Sequence, residues 1–193
     1  MRAITVISLL LSLLACVPVS QHPVTPHDPT AMDSRLYGVW YWAEKDEYGY
    51  VHIGTDWKTG LLRLVMLDHR ADGRLSRSEY QGHSSMLAKC RYLNLQEVRD
   101  DGVDEDYLIV KYVIDGQGLG VAMMEDKILR EDIQQGHLAG TVDKSTERIT
   151  ASGQALQAYL GAKDKALFPE MAFLTRLPQP ASMIPVAAPA DKQ

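Results

Sequence analysis

The sequence predicts a mainly β fold: an antiparallel meander closed into a β-barrel, with two short helices. Short runs rich in β-branched, aromatic and leucine residues alternate with turn signals over most of the chain. Asp-Gly pairs at 72–73 and 115–116 separate such runs, and Asp-Gly supplies the positive φ that a hairpin turn needs. We count about ten runs, enough to close a barrel, whereas an open sheet would leave long edges unprotected.

The first part of the chain is typical of consecutive hairpins. Successive side chains in a strand point to opposite faces, so only some residues of each run point inward. A charged turn at 44–47, an acidic segment at 99–106 and a Gly-containing turn at 115–118 lie between runs. The predicted strands here are 37–43, 48–54, 61–69, 75–87, 90–98, 107–114 and 119–125.

Two later segments have helical rather than strand spacing. The segment 126–136 ends at Gly136, which suits a left-handed cap, and the segment 152–164 begins at Ser152, which suits an N-cap. Each carries an apolar stripe on one face, formed by Leu129 and Ile133 in the first helix and by Leu156, Tyr159 and Leu160 in the second. The remaining predicted strands are 138–143, 147–152 and 171–177.

The N-terminal 15 residues, MRAITVISLLLSLLA, predict a secretory signal. A single cation, Arg2, precedes an apolar stretch that is shorter than the roughly 20 residues needed to span a bilayer. The next residues, Leu13-Leu14-Ala15-Cys16, resemble the lipobox of bacterial lipoproteins. That resemblance implies cleavage before Cys16 and acylation of Cys16, with each buried methylene contributing about 0.8 kcal/mol to anchoring. The alternative is an ordinary signal peptide or an uncleaved anchor in which Cys16 has no role.

The lipoprotein resemblance also carries an expectation about location. Val17, rather than Asp, follows the cysteine, and in Gram-negative lipoproteins this pattern implies an outer-membrane address. We therefore expect a lipid-anchored protein of the cell outer membrane that faces the periplasm. With Cys16 acylated, Cys90 has no second cysteine in the chain, so we expect no disulfide.

Proline content divides the mature chain into three parts. Residues 17–30 hold four of the nine prolines and residues 178–193 hold another four, so we expect both stretches to be extended with little fixed structure. The predicted organisation is a signal peptide at 1–15, a Pro-rich tether at 16–32, a β-barrel-like domain at 33–177 and a flexible Pro/Ala-rich tail at 178–193.

Three residues at the ends of the predicted domain resemble a known family. Gly38-Val39-Trp40 is similar to the Gly-x-Trp opening of lipocalins and other calycins, and Arg176 on the last strand is similar to their closing basic position. The resemblance implies a calycin-like barrel in which Arg176 lies across Trp40 at the closed end. The chain departs from the family in lacking a clear middle motif and in having a helix at 126–136. The alternative is a core tryptophan and a solvated arginine with no special contact.

Residues that could carry chemistry do not form a recognised pattern. His52, His69 and His83 lie on three predicted strands without the close pair spacing of a zinc site. The acidic segment 99–106 offers oxygen ligands but not in the order of an EF-hand, and Cys90 lies between Lys and Arg without a partner base. No nucleophile elbow or phosphate loop is present. We therefore expect no metal, no cofactor and no enzymatic activity.

Two functions remain open. A formal net charge of −5 without a basic cluster argues against nucleic-acid binding. The first hypothesis is a barrel whose mouth holds a small apolar or amphipathic ligand. Some of the Met and Tyr residues on the predicted strands should point inward and could line it: Met66, Met86, Met123, Met124, Tyr80, Tyr92 and Tyr112. The second is a filled barrel that acts as an interaction module for another envelope or secreted protein: an assembly factor, inhibitor or immunity protein. A continuous apolar cavity of several hundred Å³ would distinguish the first from the second.

Overall fold

The computed structural model describes residues 17–116, 118–144 and 146–178. The predicted signal peptide, Cys16 and residues 179–193 lie outside these ranges. No helix among the described residues is both long enough and apolar enough to cross a bilayer.

Twelve strands and two α-helices make up the regular structure of the described residues. The strands are β1 (Val19–Ser20), β2 (Gly38–Glu44), β3 (Glu47–Thr55), β4 (Leu62–His69), β5 (Leu75–Leu87), β6 (Cys90–Arg99), β7 (Gly102–Val103), β8 (Tyr107–Asp115), β9 (Gly118–Met123), β10 (Gly140–Val142), β11 (Glu147–Ile149) and β12 (Ala172–Arg176). The helices are α1 (Asp126–Gln134) and α2 (Gly153–Leu167). Ser152 caps α2 by accepting a hydrogen bond from the Ala155 amide.

Eight antiparallel strands close into a barrel, which confirms the predicted fold class. The strands β2 to β6 form consecutive hairpins, and β8, β9 and β12 continue the sheet back to β2. The final pairing places Arg176 opposite Trp40. Because every barrel strand has neighbours on both sides, the barrel leaves no long exposed edge.

Alternate residues of the barrel strands point inward. In β4, for example, Leu62 and Leu64 are buried, whereas Arg63 between them and Val65 after them are only partly so. The inner core comprises Leu36, Trp40, Trp42, Val51, Ile53, Leu62, Leu64, Tyr80, Leu93, Leu95, Val110, Tyr112, Leu119 and Leu174. This alternation is what a strand with one apolar face requires.

A second apolar core lies outside the barrel wall, where both helices cover β6, β8 and β9. Its centre includes Ile109 and Ala122 from the strands and Leu129, Leu156 and Leu160 from the helices. A buried carboxylate, that of Asp132 on α1, joins the two helices. It accepts hydrogen bonds from Tyr159 Oη at 2.7 Å and from Lys163 Nζ at 2.6 and 2.7 Å.

The Pro-rich N-terminal segment packs on the barrel, in contrast to the expectation of little fixed structure over 17–30. The strand β1 pairs with both β8 and β11. Further along, Val24 is fully buried, and its amide donates to Asn94 Oδ1 at 2.6 Å while its carbonyl accepts from Gln157 Nε2 at 2.7 Å. Proline favours extended backbone, and here that extended backbone runs along the domain with tertiary hydrogen bonds.

Candidate functional site

One end of the barrel, where β2 and β4 begin, is sealed by Trp40. Its side chain is 1% exposed, and its indole Nε1 donates to the Leu36 carbonyl at 2.8 Å. The guanidinium carbon of Arg176 lies 5.2 Å from the centroid of the Trp40 ring, and the guanidinium also donates to the Tyr37 carbonyl. A single 3₁₀ turn, Ser34–Leu36, covers this end. The structure therefore brings together the two residues of the predicted barrel-end pair.

An apolar cavity of about 140 Å³ lies within the barrel. Each of the eight barrel strands contributes to its wall, and every lining residue is hydrophobic. They are Val17, Trp42, Val51, Ile53, Leu64, Met66, Tyr80, Leu93, Leu95, Leu108, Val110, Leu119, Val121, Met123, Ala172, Phe173 and Leu174. The volume is close to that of an engineered protein cavity that binds benzene, roughly 150 Å³, and below the roughly 300–1,000 Å³ of drug-sized sites. The cavity is thus smaller than the several hundred Å³ that the sequence analysis expected of a ligand-binding barrel, and it fits only a single ring or a short alkyl chain.

The N-terminal segment forms part of the cavity wall. The strand β9 pairs with β8 only as far as Val110, and β1 pairs with the next part of β8, at Tyr107 and Leu108. Val17, two residues before β1, lines the cavity. The predicted lipidation site, Cys16, is thus covalently adjacent to a residue of the cavity wall.

A buried carboxylate stands on the inner face of the barrel, beyond the apolar lining. Asp68 follows Leu64 and Met66 at alternate positions of β4, so its side chain faces the same way as theirs. Asp68 is 2% exposed, and its Oδ1 has no hydrogen-bond partner among the described residues. A Cβ at Gly49, the residue opposite on β3, would collide with both Asp68 Oδ1 and the Trp42 indole nitrogen. Glycine at this position therefore allows the carboxylate and the indole to meet.

The environment of Asp68 disfavours its charged form. Burial raises the pKa of Asp68, and the Trp42 indole N–H partly offsets this rise. The charge of Arg70 also lowers the pKa of Asp68, Glu47 on β3 raises it and His69 lowers it. The balance is a pKa above the usual value for an aspartate.

A second carboxylate lies on the inner face near Asp68, at the same end of the barrel. Glu44 follows Trp42 by two residues on β2, so it lies on the inner face as well. Its Oε2 is buried and makes no hydrogen bond within the described part of the chain. Neither Glu44 nor Asp68 belongs to an ion pair formed by described residues. Neither residue was among the predicted site residues, although the alternation of β2 and β4 was sufficient to place them on the inner face.

The three predicted strand histidines lie apart. His52 is exposed, His69 stacks on Tyr48 with the ring centroids 4.3 Å apart, and His83 is buried with Nε2 2.8 Å from the Thr25 carbonyl. Burial lowers the pKa of His83. Among the described residues, no group of His, Cys, Asp and Glu has the arrangement of a metal site.

The acidic segment is partly neutralised by arginines. Arg99 lies 2.8 Å from Asp104, and Arg148 donates to both carboxylate oxygens of Asp106 at 2.7 and 2.9 Å. These contacts stabilise the hairpin tip rather than gathering oxygens around one point. Cys90 is half-buried and packs against the outer core.

The Met and Tyr residues on the predicted strands lie on both faces of the barrel wall. Met66, Tyr80 and Met123 line the cavity, as the ligand hypothesis expected of some of them. Tyr112 also lies in the inner core, where its hydroxyl donates to Asp33 Oδ2 at 3.0 Å. The others, Met124 and Tyr92 in the outer core and the exposed Met86, are not part of the cavity.

Comparisons of the chain with protein-family models, with curated proteins and with solved structures found no match. The site is therefore interpreted from its own geometry: an apolar cavity sized for a ring or short chain, with unpartnered carboxylate oxygens beyond it. Such an arrangement suits binding of a small molecule with one apolar and one polar end.

Proposed function

We propose that this chain is a lipid-anchored protein of the outer membrane, facing the periplasm, that binds a small apolar or amphipathic ligand in its barrel. The observation that carries the proposal is the cavity, which all eight barrel strands line with hydrophobic side chains. Apolar cavities of this size bind apolar molecules when their walls offer no polar group to hold water. The placement of Trp40 and Arg176 supports the calycin resemblance, although it does not by itself establish a ligand.

The predicted anchor is consistent with a ligand that partitions into membranes. Val17 lines the cavity and directly follows Cys16. Acylation of Cys16 would hold this part of the barrel near the bilayer surface, where amphipathic molecules concentrate. The flexible side chains of Met66 and Met123 in the wall can adapt to ligands of different shape.

Ligand-induced stabilisation tests the proposal with a defined probe. The protein is the mature chain with Cys16→Ser, which needs no detergent to compete for the cavity, and the probe is hexan-1-ol. A ligand that binds only the folded state stabilises it by about 1.4 kcal/mol at ten times its Kd, so the melting temperature should rise with hexan-1-ol concentration. An unchanged melting temperature, together with no binding detected by NMR, would contradict the proposal.

A pair of matched variants assigns the binding to the cavity. Val121→Phe adds a ring to a side chain that lines the cavity and should abolish the stabilisation by hexan-1-ol. Val65→Phe makes the same change on β4 at a position between the lining residues Leu64 and Met66, which therefore faces away from the cavity. This control variant should respond to hexan-1-ol as the parent protein does. Equal loss in both variants would argue against the cavity as the site.

The second candidate is an interaction module, and two exposed side chains favour it. Trp57, in the loop between β3 and β4, is 86% exposed, and Met86, near the end of β5, is 63% exposed. Both lie at the end of the barrel that Trp40 seals, on hairpins joined by the β4–β5 pairing. Exposed tryptophan and methionine are common at protein interfaces. If this candidate is correct, Trp57→Ala will abolish crosslinking to an envelope protein while leaving hexan-1-ol binding unchanged.

A further inference from the structure

The carboxylate of Asp68 is buried with no cation paired with it, and the group that the structure places beside it is the Trp42 indole N–H. Buried ionised groups in proteins are generally paired with a counter-charge or hydrogen-bonded, because desolvation otherwise disfavours them. Asp68 is 2% exposed and its Oδ1 accepts no hydrogen bond from any described residue. Two other carboxylates of the described residues are buried: Asp132 accepts hydrogen bonds from Tyr159 and Lys163, and Glu147 forms an ion pair with Arg130. Asp68 differs from both in having no cation paired with it. Asp68 therefore has an unused acceptor, whereas Asp132 does not.

The carboxylates of Glu44 and Asp68 lie on the inner face of β2 and β4, next to the residues of these strands that line the cavity. Met66 and Trp42 line the cavity, and the next inward-facing residues along the same two strands are Asp68 and Glu44. Glu44 Oε2 is also buried without a hydrogen bond from the described residues. A molecule that fills the apolar cavity and extends toward this end of β2 and β4 would meet two carboxylates that have no cation paired with them.

The other charged groups around this end do not satisfy the two carboxylates. On β3, Glu47 adds a further negative charge and raises the pKa of Asp68. After β4, Arg70 is exposed and forms no ion pair with Asp68 within the described residues, although its charge acts on Asp68 at longer range. On β5, the residue opposite Asp68 is Ser76, which carries no charge. The local charge is therefore negative on the inner face.

We propose that the ligand is a small organic amine, whose apolar body occupies the cavity and whose ammonium group donates hydrogen bonds to Asp68 and Glu44. This inference rests on the proposed binding function and names the class of ligand. An ammonium group has several N–H donors and a charge opposite to that of the site, and charge-assisted hydrogen bonds to carboxylates are stronger than neutral ones. The cavity volume of about 140 Å³ limits the apolar body to a ring or a short alkyl chain. The same charges disfavour fatty acids and other anionic lipids.

A matched series of probes tests the charge preference. Hexylamine, hexan-1-ol and hexanoate are unbranched six-carbon molecules whose head groups at pH 7 are cationic, neutral and anionic, respectively. The three tryptophans serve as reporters in an NMR experiment on the indole N–H groups of the mature Cys16→Ser chain at pH 7 and fixed ionic strength. The Trp42 signal should shift during titration because its indole lies beside Asp68, while the Trp40 and Trp57 signals remain in place.

The expected result is that hexylamine binds at least tenfold more tightly than hexan-1-ol, and that hexanoate binds most weakly. Asp68→Asn should reduce the affinity for hexylamine to that for hexan-1-ol, without changing the affinity for hexan-1-ol. Asp72→Asn, an exposed carboxylate in the turn after β4, is the matched control and should preserve the preference. Glu44→Gln provides a second, independent variant and should lower the preference in the same direction.

The outcomes separate this inference from the proposed function. If hexan-1-ol and hexylamine bind with equal affinity, the amine inference is wrong and the apolar binding function stands. If neither probe shifts the Trp42 signal, the binding function itself fails. If sodium or calcium ions alone shift the Trp42 signal and block hexylamine, the carboxylates hold an inorganic cation and the amine inference is overturned.

Discussion

Replacement of Trp40 by alanine tests whether this residue seals the barrel. The side chain is 1% exposed and packs between Leu36 and the guanidinium of Arg176. An aromatic side chain of this kind buries about 150–250 Å², which corresponds to about 4–6 kcal/mol of apolar burial at 25 cal/mol per Å². Alanine retains part of that contact and the surroundings relax, so the expected loss in the free energy of unfolding is about 3–5 kcal/mol.

That loss can be measured directly on the mature Cys16→Ser chain. For a chain of this size, about 3–5 kcal/mol corresponds to a decrease of about 6–20 °C in melting temperature. Urea denaturation followed by circular dichroism gives the free energy itself. Trp57→Ala is the matched control, because Trp57 is exposed and its replacement should change the free energy of unfolding by less than about 0.5 kcal/mol. A Trp40→Ala variant within about 1 kcal/mol of the parent would refute the sealing role.

Three further changes have defined outcomes. Cys16→Ser in the full chain should move the protein from the membrane to the soluble fraction, and continued membrane association would contradict the lipoprotein proposal. Asp68→Asn should raise the melting temperature at pH 7, because burial raises the pKa of Asp68, so the ionised carboxylate destabilises the fold above that pKa and this cost disappears on acidification. No gain in thermal melts at pH 7 would contradict this. His83 has a lowered pKa, so the fold should lose stability as the pH falls below about 6.5, with a smaller hydrogen-exchange protection factor at the Val24 amide. A pH-independent urea midpoint would show that His83 does not resist protonation.

Local sequence patterns were sufficient to predict most of the strands. The run at 61–69, LLRLVMLDH, is rich in leucine and valine and was predicted as a strand, and the structure has a strand at Leu62–His69. The helix predicted over 126–136 is observed at Asp126–Gln134, and Gly136 beyond it has a φ of 75°, the left-handed conformation expected of such a cap. These elements depend on residues close in sequence, so the information that specifies them is local.

The packing of the N-terminal segment depended on distant residues. A high proline content predicts extended backbone but does not show what that backbone contacts. Here the contacts are with Asn94 and Gln157, which are far from Val24 in sequence. Composition alone therefore suggested a loose tether where the structure has a packed segment.

The local sequence likewise predicts only part of the cavity and its carboxylates. The alternation of β4 places Asp68 on the same face as Leu64 and Met66, so its direction was predictable. Its burial and its lack of a hydrogen-bond partner depend on how β2, β3 and β4 come together around Gly49. The size of the cavity likewise depends on all eight strands at once, and no local pattern reports it.

Native mass spectrometry of the mature Cys16→Ser chain, expressed in the periplasm and purified without detergent, tests the central claim most directly. The account predicts a non-covalent adduct of a small organic base, which added hexylamine displaces and which Val121→Phe does not retain. A chain that carries no adduct, and remains so after incubation with an envelope lipid extract and with hexylamine, would contradict a ligand-binding barrel.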